Sequence, residues 1–164
     1  SFIMNQTRPE IITAKMEWAR QTLATEPVSL VLVCASVVFR RSGKGIAPLY
    51  ELVTGPGLQQ LKGGVLADKV VGKAAALLAL YADLSAIYAD IMSGPAYDLL
   101  IQNNVLVTAG FIVDHILNRT QTGLCPMELL TAEVTVPEEA HTIIGRQLQQ
   151  WQQERRSAVI QKAE

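Results

Sequence analysis

The chain has 164 residues, of which 49% are hydrophobic and 18% charged, with fourteen Lys and Arg against fifteen Asp and Glu for a net charge of -1. That apolar content excludes intrinsic disorder and suits one packed domain, while the balanced charge excludes a global basic field for nucleic acid. Two cysteines and two histidines exclude a disulfide framework and leave few ligands for a zinc site.

Ser1-Phe2-Ile3 precede Met4 and read as an appended remnant, so residues 1–8 are expected to be disordered or appended, 9–156 to form the domain, and 157–164 a tail. Pro9 suits a first helical turn, and Ile11, Ile12, Met16, Ala19 and Leu23 recur at helical spacing behind it. The apolar run Val28–Phe39 is too short to cross a bilayer as a helix. Rich in valine, it predicts a strand hairpin over Ser29–Ala35 and Ser36–Arg40. Nothing near the N-terminus has the order of a secretion signal, so a cytoplasmic location with reduced thiols is the expectation, with no membrane contact.

Ser42-Gly43-Lys44-Gly45 breaks the pattern, a short helix over Pro48–Val53 stops at Gly55-Pro56-Gly57, and Leu58–Leu61 adds a turn. Gly63–Ala67 predicts a buried strand, with Asp68 as N-cap of an almost wholly apolar helix over Lys69–Ala82. A strand over Ala86–Ile91, a helix from Ser93 to about Asn103 and a strand over Val105–Ala109 follow. That alternation implies parallel strands with right-handed crossovers, and a helix on each face of one sheet. Phe111–Leu117 is compatible with helix or strand, Asn118–Gly123 with a loop, and Pro126 and Pro137 open two last helices, the second reaching about Arg156.

Three blocks carry a resemblance: Gly43-Lys44-Gly45-Ile46-Ala47-Pro48-Leu49; Ala67-Asp68-Lys69-Val70-Val71-Gly72-Lys73-Ala74-Ala75-Ala76; and Asn118-Arg119 with Leu124-Cys125-Pro126-Met127-Glu128. In this order they resemble an uncharacterised prokaryotic family, a domain of unknown function, over roughly Val28–Ala140. The resemblance implies a cytidine deaminase-like fold, an α/β/α three-layer sandwich on a mixed sheet whose first two strands form an antiparallel hairpin.

Zinc deaminases place His-x-Glu or Cys-x-Glu at one helix start and Pro-Cys-x-x-Cys at the next. Against that pattern the helix starts here are Asp68-Lys69-Val70 and Ser93-Gly94-Pro95-Ala96, where Ser93 and Ala96 replace both thiols. No metal and no cofactor are therefore expected. A small anionic or nucleotide-like ligand at the helix N-termini is the first functional expectation, lined by Lys44, Asp68, Lys69, Lys73, Ser93 and Arg119.

If there is turnover, Cys125, Lys69 and Asp68 are the candidate catalytic groups. Cys125 stands at a helix start, where a thiolate is stabilised, with Glu128 or Asp114 as acid or base. A thiol-dependent enzyme and a non-catalytic oligomeric module are the alternatives, and a homo-oligomer is expected. Cys34 reads as core, and His141 as part of an exposed helix.

Overall fold

The computed structural model describes residues 8–163. The expectation of an appended, disordered N-terminus falls on residues that, but for Arg8, lie outside the described ones. In chain order the elements are α1 (Pro9–Thr25), β1 (Leu30–Val33), β2 (Val38–Arg41), α2 (Ala47–Thr54), α3 (Leu58–Leu61), β3 (Val65–Val71), α4 (Lys73–Tyr81), β4 (Ala86–Ser93), α5 (Gly94–Gln102), β5 (Leu106–Val113), α6 (Pro126–Thr131) and α7 (Pro137–Ala163). The five strands form one mixed sheet in the order β2-β1-β3-β4-β5. β1 is antiparallel to β2 and to β3, and β3, β4 and β5 are parallel.

Helices cover both faces, as in a three-layer sandwich. On one side Met16, Ala19 and Leu23 of α1 meet Val31, Val33, Val65, Ala67, Ala86 and Tyr88. These three positions share one helical stripe, which is why the α1 periodicity was legible. On the other side α2, α4, α5, α6 and α7 enclose a larger core around Leu30, Leu32, Leu66, Ile87 and Met92. β1 reads Leu-Val-Leu-Val without alternation because both of its faces are buried.

The two crossover helices do not lie on opposite faces. β3, β4 and β5 advance in one direction across the sheet, so two right-handed crossovers put α4 and α5 on the same side, where their buried residues share one core. Among the described residues, the helix on the other face is α1. Beyond it Val70, Ile91 and Phe111 stand in register and exposed.

Strand lengths also differ from expectation. β3 continues to Val71, β4 to Ser93 and β5 to Val113, which settles the Phe111 segment as strand at its start. The pairing is interrupted at one level, Lys69–Asp90–Gly110, and resumes with the same offset. On the helix side Leu66 and Ala89 precede that level while Val71 and Met92 follow it, so the in-out parity exchanges there. Gly110 makes the kink fit: a Cβ on it would lie 2.7 Å from the Asp90 carbonyl oxygen.

α4 is buried over Ala74–Ala79, enclosed by the sheet and the outer helices as its unbroken apolar surface demands. α7 is longer than expected, running to Ala163, with residues 152–163 exposed throughout. Among the described residues no helix is long and apolar enough to cross a membrane.

Candidate functional site

β2, β3, β4 and β5 all point the same way, so their carboxyl ends gather at one end of the sheet. The Gly43-Lys44-Gly45 loop, the Gly72–Lys73 junction, Ser93 and the segment leading to Cys125 all emerge there. Pockets in open α/β sheets form at this end because the chain turns outward to meet helix N-termini.

At its centre is Glu128. The Lys73 backbone amide donates to both carboxylate oxygens, at 3.1 and 2.9 Å. The Ala74 amide and the Ser93 hydroxyl also favour the charged form of Glu128. Glu128 belongs to the first turn of α6, yet its carboxylate satisfies the free amides at the start of α4, across 55 residues of sequence. Gly72 makes the approach possible, because a Cβ there would occupy the space of the carboxylate. Burial raises the Glu128 pKa, and the amides of Lys73 and Ala74, the Lys73 charge and the Ser93 hydroxyl oppose that rise. Ser93 also caps its own helix, accepting from the Ala96 amide at 3.2 Å.

Asp68 is not a helix N-cap. It lies within β3, between Leu30 and Ala89 in the pairing, level with residues that face α4 and α5. α4 begins only at Lys73, with Gly72 as its N-cap residue. Asp68 lies just before the level where the ladder is interrupted, and the Lys69 amide that follows it donates to the Ser29 carbonyl at 3.3 Å. Pairing with Leu30 and Ala89 on its two sides holds Asp68 in strand form where the sequence suggests a cap. Burial is the main cause that pushes its pKa up to about 7, with the Asp90 charge adding to the rise.

Of the other candidates, Lys73 and Ser93 meet at Glu128, although the Lys73 ammonium turns away to donate to the Ala132 carbonyl at 2.7 Å. Lys69 follows Asp68 on the exposed edge of the kink. Lys44 stands exposed between Gly43 and Gly45, which both hold positive φ. Arg119 is exposed in the loop before α6 and joins none of these groups among the described residues. Cys125 is half-buried and precedes Pro126 of α6, one turn from Glu128, whose amide donates to the Cys125 carbonyl at 2.9 Å. Among the described residues no three His, Cys, Asp or Glu side chains group as a metal site would need.

Two features escape the sequence. The cap that Glu128 provides has only a weak signal, a glycine before an apolar helix with no Ser, Thr, Asp or Asn in capping position. His141 is not on an open helix face; it stacks between Tyr81 and Tyr50, with ring centroids 4.2 and 5.1 Å away. Thr54 spends its hydroxyl proton on the Tyr50 carbonyl at 2.6 Å, so the His141 Nε2 that lies 2.9 Å from Thr54 is the donor there. No periodic pattern links residues 50, 81 and 141.

The sequence profile described as TM1506, domain of unknown function (DUF1893), matches residues 18–148. The chain belongs to this family. The DUF1893 match spans Asp68, Gly72, Lys73, Ser93, Cys125 and Glu128, and leaves the start of α1 and the end of α7 outside. The crystal structure of a DUF1893 protein, TM1506 from Thermotoga maritima, is similar: the two chains are 26% identical with a TM-score of 0.74 over 82% of this chain and 90% of that one. No curated protein matches the chain.

Proposed function

We propose that the carboxyl end of the sheet binds a small anionic or nucleotide-like ligand, and that Glu128 is the internal group standing where the ligand's anion goes. The observation that carries this reading is the two-pronged bond from the Lys73 amide to one carboxylate, whose charged form the Ala74 amide and the Ser93 hydroxyl also favour. Those donors form an oxyanion cradle, and a phosphate or carboxylate satisfies them as Glu128 does. Lys44, on its glycine-flanked loop, supplies a positive charge at the same end of the sheet.

The strand order supports the cytidine deaminase-like reading of the fold. Yet Gly72-Lys73-Ala74 and Ser93-Gly94-Pro95-Ala96, at the starts of α4 and α5, carry neither thiol nor imidazole. Hydrolysis through a resident zinc is therefore no part of the proposal.

The test is chemical rescue of Glu128→Ala. Removing the carboxylate empties the cradle, so acetate, phosphate or a nucleoside monophosphate should raise the variant's melting temperature saturably, by about 3 °C at ten times the dissociation constant. Wild type should respond to the same anions only at higher concentration, because it already holds a tethered carboxylate. If none of these anions shifts the variant more than matched chloride does, the reading fails.

A further inference from the structure

The two edges of the sheet are finished differently. At one edge β2 is four residues long and carries Arg40 and Arg41, with Arg40 paired to Glu26 at 3.0 Å and set over the Trp18 ring. Charged side chains on a short strand are an ordinary guard against pairing with another chain. At the other edge β5 is eight residues long, Leu-Val-Thr-Ala-Gly-Phe-Ile-Val, with no charge and no proline. It pairs with β4 on one side only, and among the described residues no element pairs with its other side. Leu106, Phe111 and Ile112 are 47%, 74% and 54% exposed.

From this contrast we infer that β5 is an assembly edge, and that its occupant is β5 of a second copy of this chain, paired antiparallel about a two-fold axis into a continuous ten-stranded sheet. Antiparallel pairing of a strand with itself is isologous, so one patch serves both partners and the interface closes at two subunits. It also sets every residue of the strand against another of the same uncharged set, so no like charges are opposed and none is left unpaired. The backbone donors and acceptors along the outer side of β5 are then satisfied. The apolar side chains on the strand gain cross-strand neighbours.

Light scattering on the full chain, with amide hydrogen exchange at several concentrations, tests the inference. Wild type should have twice the chain mass, and alternate β5 amides should be protected at high concentration and exchange faster on dilution. Thr108→Lys and Phe111→Lys, both at exposed positions, should each weaken dimerisation by about tenfold or more while leaving the far-ultraviolet circular dichroism unchanged. If either variant does not fold, the concentration dependence of wild-type β5 exchange decides alone. A wild type that stays monomeric at about 1 mM overturns the inference. So does a dimer whose β5 amides exchange freely, or one that both lysine variants leave intact; the last two would put the contact elsewhere, for example on α7.

Discussion

Gly72 and Glu128 are shaped to each other: the hydrogen at Gly72 leaves the volume that the Glu128 carboxylate fills, and that carboxylate closes the helix start which Gly72 opens. Gly72→Ala should therefore cost about 2 kcal/mol or more in denaturant unfolding, through collision and loss of the capping hydrogen bonds. Glu128→Ala should cost a similar amount. Because both changes break one contact, the double variant should be distinctly more stable than the sum of the two losses predicts. Additive losses would mean that the two sites act independently.

Gly145 sets up a comparable test on α7. A helix-interior glycine replaced by alanine ordinarily stabilises by about 1 kcal/mol. Here the new Cβ would meet the Tyr50 hydroxyl, so Gly145→Ala should destabilise instead. Adding Tyr50→Phe removes the nearer obstruction but leaves the ring carbon Cζ at 2.9 Å, so it should recover only part of the loss. Stabilisation by Gly145→Ala alone would contradict the packing of α7 against α2.

Asp68 gives stability a pH dependence with a definite sign. Its folded pKa is raised from 3.8 to about 7, so the folded state holds the proton more tightly than the unfolded chain does. Its contribution is complete below about pH 4 and is lost as pH rises to about 7, with a slope of up to about 1.4 kcal/mol per pH unit. Asp68→Asn keeps the size and polarity of the side chain without the ionisation. The difference in unfolding free energy between variant and wild type should grow in the variant's favour from pH 4 to pH 8. His141 acts with the opposite sign, since burial lowers its pKa from 6.5 and its contribution is lost as pH falls below that value.

The cysteines should separate in alkylation of the native protein. Cys34 is buried at the turn after β1, and burial pushes its thiol up to about 11. At pH 8 such a thiol is thiolate in about one molecule in a thousand. Cys125 is half-buried, so mass spectrometry after brief iodoacetamide treatment should find one adduct, on Cys125. Equal modification of Cys34 would mean that the hairpin turn opens readily.

The sequence carries the layers well and the junctions poorly. α1, the hairpin and the apolar α4 are legible because each buries a stripe or a whole surface, and burial leaves a periodic or continuous apolar trace. The end of β3 is not legible. Asp68 before an apolar run has the form of an N-cap, but it is paired inside β3, and the true start of α4 is capped from α6. A cap supplied across 55 residues leaves no local mark. The common face of α4 and α5 was hidden for another reason: it depends on strand order, which the alternation of elements does not fix.

Beyond Trp151, α7 carries only exposed residues, a rod of about 18 Å held by its own backbone bonds and by pairs such as Gln150 with Glu154 at 3.1 Å. An unsupported helix of that length is marginal in water. Its outer turns should therefore fray on warming well before the sheet gives way, so that heat loosens the protein first at its spar and only later in its hull.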